Sequence, residues 1–163
     1  MQLLLNRYSC KKWTHIIIHH SWSEDDNLSS QWSDINRYHV KEKGWTDVAY
    51  NFGIENVSGA PTLCMGRSLT MQGAHTIGMN DVAIGICLIG NFDLIEPTDE
   101  QYQALANLCA YLCKEFNIPI ANIEPHNKYA DKTCPGKLFD FNKLLERVYA
   151  SKDNSGLYII FHE

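Results

Sequence analysis

Two stretches of the chain concentrate side chains that bind metals or move protons. The first is Ile16-Ile17-Ile18-His19-His20, where three β-branched residues run straight into two imidazoles. The second is the loop PHNKYADKTCPG, Pro125 to Gly136, which carries His126, Lys132 and Cys134. Imidazole nitrogen and thiolate sulfur are ligands zinc prefers, and three protein ligands plus a position left for water make a catalytic rather than a structural site. One histidine of the His19/His20 pair, with His126 and Cys134, supplies such a set. The spacing of eight between His126 and Cys134 lets an irregular loop turn back and present both to one ion. No CxxC or HExxH pattern accompanies them, so the residues alone leave two other readings open: a capping or core histidine, and a buried structural cysteine.

Such side chains must be positioned by regular elements, and the sequence alternates between strand and helix patterns. Thr14 to His20 reads as a buried strand, and Ser29 to Gly44 as a helix with serine caps at its start and glycine at its end. Asp47 to Glu55 and Ala83 to Phe92 are strand-like, the second so continuously apolar that a central, doubly covered position is expected. Pro97 to Asn117 is the clearest helix. Thr98 begins a capping box, and Leu105, Leu108, Cys109, Leu112, Cys113 and Phe116 recur at helical spacing, which makes the two cysteines core residues. Phe139 to Ala150 reads as a last helix, followed by a polar turn and the short apolar run LYIIF, a possible edge strand. The implied class is α/β, with residues 1–150 as one domain and 151–163 as a C-terminal tail.

Composition narrows the functional classes. The 163 residues are 45% hydrophobic and 20% charged, the balance of one ordinary globular domain. A net charge of −5 and a pI near 5.8 argue against nucleic acid as a partner; the one basic pair, Lys11-Lys12, reads as a solvated turn. No run of eighteen apolar residues is present, so no membrane partner is expected, and the three leucines of MQLLLNRYSCKKW are too few for a signal peptide. The six cysteines are scattered through a chain that does not need cross-links, so free thiols are expected.

Four motifs, in order, carry a resemblance: IIIHHSWS, GWTDVAYNFGI, GAHTIGMNDVAIGICLIGNFD and HNKYADKTCPG. Together they resemble the zinc-dependent N-acetylmuramoyl-L-alanine amidases that share a fold with peptidoglycan recognition proteins and T7-type phage lysozyme. The likeness covers roughly residues 13–150. It implies a central mixed sheet flanked by helices, with Zn²⁺ held by His19, His126 and Cys134, and His20 left to packing or to contacts behind the ligands. Tyr50 matches the family tyrosine beside the metal and Lys132 the lysine that T7-type members carry in their catalytic loop, and the resemblance implies that both are catalytic, donating to the oxyanion. It further implies that His75, Asn80 and Arg67 bind substrate, with a loop-fixing hydrogen-bond role equally open for His75 and Asn80. The implied reaction is hydrolysis of the amide between N-acetylmuramic acid and L-alanine of the peptidoglycan stem peptide; the alternative is a non-catalytic peptidoglycan-binding module. The expected protein is a monomer, made in the cytoplasm and acting on the wall after release or export. Two departures stand out. NVSGAPTLCMGRSL, Asn56 to Leu69, keeps only Gly66-Arg67 of the usual substrate-side pattern, and SWSEDDNLSSQW lacks the small disulfide of the secreted animal members, which leans the source toward bacteria or phage.

Overall fold

The computed structural model describes residues 13–23 and 31–152. The expected Lys11-Lys12 turn, the acidic run Glu24 to Asp26, the serine caps at Ser29 and Ser30 and the LYIIF strand lie outside those residues. Five strands form one mixed sheet in the order β3-β2-β4-β1-β5: β1 His15–His20, β2 Phe52–Val57, β3 Ala60–Met65, β4 Ala83–Leu88 and β5 Ile123–Pro125. All neighbours are parallel except the β2–β3 hairpin at one edge. Among the described residues, three α-helices accompany it: α1 Gln31–Arg37, α2 Asp99–Phe116 and α3 Phe141–Lys152. This is the α/β fold with a central mixed sheet that the sequence implied.

The period of two along a strand divides the sheet into two chemically different faces. On one, Ile16, Ile18, Phe52, Ile54, Ile84, Ile86 and Leu88 pack with Leu105, Leu108 and Leu112 of α2 and with Leu144 and Val148 of α3. The opposite face carries Ile17, His19, Gly53, Gly85 and Cys87, which the register sets side by side: Ile17 opposes Gly85, and Cys87 lies between His19 and Gly53. Glycine is unfavourable within a strand unless something must approach the backbone closely. A Cβ at Gly53 would collide with the Trp32 ring of α1, and one at Gly85 with the His75 ring.

The capping box of α2 is present, with Thr98 Oγ1 accepting from Gln101 N at 3.2 Å and Gln101 Oε1 accepting from Thr98 N at 2.9 Å. Its C-terminus turns through Asn117 at φ 54°, a left-handed conformation that asparagine tolerates. Helix α3 starts and ends two residues later than the sequence pattern implied. Ser151, beyond the expected end of the domain, is buried and donates to Asn107 Oδ1 at 3.0 Å.

Two other expectations are corrected, and the stretch that departs from the family pattern finds its structure. The strand expected from Asp47 starts only at Phe52, because the carbonyls of Asp47 and Val48 are taken by the Arg67 guanidinium instead of a ladder. The departing stretch Asn56 to Leu69 forms most of a β-hairpin. Ser58 and Gly59 both have positive φ, 52° and 83°, as a two-residue type I′ turn requires. The helix expected to reach Gly44 leaves α-geometry at Arg37 and continues as a π-turn over Tyr38–Glu42. Cys64, Cys87, Cys109, Cys113 and Cys134 are free thiols, as expected; Cys10 is outside the described residues. Among the described residues, no helix is long and apolar enough to cross a membrane.

Candidate metal centre and cleft

His19 and His126 meet because of strand register. β5 pairs in parallel with β1 up to Ile18 opposite Pro125, so the next residue on each strand is a histidine, and the two rings lie 4.3 Å apart between centroids. The loop beyond β5 then closes on itself, Asn127 N donating to Cys134 O at 2.8 Å, and this returns Cys134 to the same point. Its Sγ accepts from His20 N at 3.4 Å and lies 3.7 Å from His19 Nδ1. One ligand atom from each of His19, His126 and Cys134 falls within 4.8 Å of the others. His20, one residue on, points to the helical face: its Nδ1 accepts from Phe92 N at 3.3 Å, and its ring lies 6.1 Å from that of Phe92. Strand alternation thus turns the His19 ring to the donor cluster and the His20 ring toward Phe92.

The donor set fits zinc. Two donors on a tetrahedral zinc with ordinary Zn–N and Zn–S bonds stand about 3.5 Å apart, close to the His19–Cys134 separation of 3.7 Å. Metal ligation needs neutral imidazole, and burial, followed by the neighbouring histidines and Lys132, holds His19 well below its usual pKa. Burial, then Lys132 and His20, lowers His126 in the same sense. Burial pushes the Cys134 thiol up to about 11, opposed by the His20 N–H and the Lys132 charge; a divalent cation is the partner that would make it a thiolate.

Around this cluster lies a cleft of about 600 Å³, lined also by His20, Trp22, His39, Trp45, Ala49, Tyr50, Ala74, His75, Asp93, Lys132 and Thr133. Tyr50 stands with its ring 5.1 Å from that of His19, and burial, then Cys87 and Cys134, raises its phenol well above the ordinary value, so it remains a donor. Lys132 is exposed on the same lining. Asp93 fixes the loop that bears Cys134: its carboxylate accepts from Thr133 Oγ1 at 2.7 Å and from Lys137 N at 2.9 Å. Those two bonds hold it below the usual carboxylate range.

The three residues expected to bind substrate are placed differently from one another. His75 borders the cleft but is buried, with its Nδ1 3.1 Å from His19 Nε2. Asn80 faces its own loop, where Oδ1 accepts from His75 N at 2.8 Å and Thr76 N at 2.7 Å. Arg67 is buried, and its guanidinium donates to the carbonyls of Val48, Gln72 and Asp47 at 2.9, 3.0 and 3.0 Å. Asn80 and Arg67 are absent from the cleft lining and brace backbone; for Asn80 this is the loop-fixing arrangement left open by the sequence. Sequence reasoning missed Trp22, His39, Trp45, Asp93 and Thr133. All but His39 stand in or beside the four motifs, so proximity to those motifs was the available signal. Trp22 is 69% exposed at φ 59°, a left-handed conformation unusual for a bulky residue.

A family model described as N-acetylmuramoyl-L-alanine amidase matches residues 9–137, a stretch that contains all three donors. The chain belongs to that amidase family. Among curated relatives it is 33% identical over 129 residues to peptidoglycan-recognition protein LB of Drosophila melanogaster, covering 75% of this chain and 54% of the relative. It is 32% identical over 119 residues to the endolysin of Escherichia phage T7, covering 70% of this chain and 74% of the endolysin. This amidase-family chain therefore spans about half the length of the recognition protein it matches. A solved structure of the N-acetylmuramoyl-L-alanine amidase LysC from Clostridium intestinale superposes with a TM-score of 0.71 at 28% identity, covering 85% of this chain and 87% of that one.

Proposed function

We propose that the chain is a peptidoglycan hydrolase that cleaves the amide between the lactyl group of N-acetylmuramic acid and L-alanine. His19, His126 and Cys134 would hold the zinc ion. The observation that carries this reading is the convergence of those three donors in one cleft with the hydroxyl donor Tyr50 and the cation Lys132. Family membership supplies the substrate class.

Zinc bound by three protein ligands provides a Lewis acid and an acidified water at its fourth position. The chain's own groups do the rest. Tyr50, kept protonated by burial, and Lys132 both line the cleft and can donate to an amide oxygen as it gains negative charge. Such donors commonly contribute a few kcal/mol each to the barrier. Asp93 holds the Lys132–Cys134 loop through Thr133 and Lys137, which sets where both side chains stand.

Digestion of purified peptidoglycan followed by mass spectrometry tests the proposal. Free stem peptides with an N-terminal alanine, lost on chelation, support it. New sugar reducing ends as the main product would mean a glycosidase, and retention on peptidoglycan without any product would mean a recognition module.

A further inference from the structure

His75 occupies a seat built for an imidazole. Its Cδ2 lies where Cβ atoms on Gly73 and Gly85 would intrude, the first at 2.7 Å. Asn80 Oδ1 clamps the backbone N–H groups of His75 and Thr76, and Asn80 O accepts from Gly73 N at 2.9 Å. The ring touches a backbone carbonyl at one nitrogen and the His19 ring at the other: Nε2 is 3.2 Å from Ala83 O, and Nδ1 is 3.1 Å from His19 Nε2.

The polarity of this chain of bonds follows from its fixed end. A carbonyl oxygen only accepts, so His75 Nε2 carries the hydrogen. The ring is buried, where an unpaired charge would be costly, so it carries that one hydrogen and its Nδ1 is an acceptor. An acceptor 3.1 Å from His19 Nε2 is stable only if that nitrogen is protonated; otherwise two lone pairs face each other. Thr76 Oγ1, 3.0 Å from His75 Nδ1 and 3.3 Å from His19 Nε2, can donate to the first and accept from the second without changing this outcome. His19 Nδ1 then keeps its lone pair, and it is the nitrogen that faces Cys134.

We propose that His75 is a positioning residue for metal binding: it relays the polarity of the Ala83 carbonyl to His19, fixing the tautomer that leaves Nδ1 free to ligate. Partners of this kind set ring orientation and tautomer in metal sites, and removing one typically costs 10- to 100-fold in metal affinity. The inference rests on the zinc reading above and gives His75 a role distinct from substrate contact.

Two measurements decide it. Long-range ¹H–¹⁵N NMR on ¹⁵N-histidine-labelled, metal-free protein reads the tautomer of His19 directly, without any substitution. The Nε2–H form is expected, and the Nδ1–H form overturns the proposal. Competition with a chromophoric chelator then gives zinc affinity for His75→Phe, which fills the seat without an acceptor, and for His75→Gln, whose amide oxygen can accept from His19. A loss of 10- to 100-fold in the first and substantial recovery in the second are expected. A residue that merely fills space would lower the melting temperature while leaving zinc affinity unchanged, and that result overturns the inference alone. A wild-type chain that binds no zinc would instead sink the metal reading on which it rests. If His75→Phe does not fold, the wild-type tautomer and His75→Gln still decide.

Discussion

Arg67 separates a substrate contact from a structural brace, and its replacement should reveal which it is. The guanidinium gives three hydrogen bonds to the carbonyls of Val48, Gln72 and Asp47, and its own backbone N–H donates to Tyr50 O at 2.8 Å. Val48 is buried, whereas Gln72 is exposed and Asp47 partly so. In Arg67→Ala the Val48 carbonyl is left without a partner, costing about 2 kcal/mol, while the other two can take water and cost roughly 0.5–1 kcal/mol each. The sum is about 3–4 kcal/mol. For a domain of this size that lowers the melting temperature by roughly 10 °C. Arg67→Lys keeps the charge, but a point ammonium cannot span three divergent carbonyls, so about half the loss should remain. Urea denaturation of the zinc-loaded protein gives the stability change, and kinetics at low temperature give KM. An unchanged denaturation midpoint with a raised KM would refute the bracing argument and return Arg67 to the substrate.

Gly85→Ala pushes a methyl group into the His75 ring, so it should cost about 1–3 kcal/mol and weaken zinc binding as well, by denaturation and chelator competition. Thr98→Ala removes one half of the α2 capping box and should cost about 1 kcal/mol in thermal unfolding, with no change in turnover. Exhaustive chelation should abolish release of stem peptides and lower the melting temperature, and stoichiometric zinc should restore both; full activity in protein shown by elemental analysis to be metal-free would contradict the proposed function. Burial pushes the thiols of Cys64 and Cys113 up to about 12 and about 11, so both should resist iodoacetamide at pH 8 in the native protein, and rapid labelling seen by peptide mass spectrometry would refute that burial.

The parts of this fold that sequence made legible are those where one physical signal dominates. Three consecutive isoleucines before His19 require burial on both faces, and β1 is central. Thr98 and Gln101 satisfy orphan backbone donors in one known way, and α2 begins where they stand. What stayed hidden depends on partners distant in sequence. β5 is three residues long and ends in proline, so nothing local marks it as a strand; pairing with β1 makes it one. β3 contains Pro61 and lies at the sheet's edge, where its strength comes from the Ser58-Gly59 turn. The candidate metal-ligand trio could be named from motifs, because ligand chemistry restricts the residue types. The roles expected for Arg67 and Asn80 could not be read that way. A guanidinium or an amide binds backbone as readily as substrate, and the backbone partners it takes here, at Val48, Gln72 and the His75 loop, are visible only in the fold.

The placement of glycine in the central strands shows how far the site shapes the sheet. Gly53 and Gly85 sit on the same face as His19, each beneath an aromatic ring, and glycine at such positions gives up side-chain packing and increases the entropy lost on folding. An alanine at either would suit a strand better in isolation. Neither would leave room for the group that covers it: Trp32 over Gly53, which anchors α1 by donating to Met65 O at 3.2 Å, and His75 over Gly85, which lies against His19. Stability is recovered on the other face, where α2 and α3 bury an uninterrupted apolar layer. Because side chains alternate, the two demands do not compete for the same positions. A one-residue slip of β1 would move His19 into the apolar layer and His20 into the cleft. Ile16, Ile17 and Ile18 are apolar toward both faces and do not by themselves select a register, so the pairing that sets His19 opposite Cys87 is what determines which imidazole reaches the candidate metal centre.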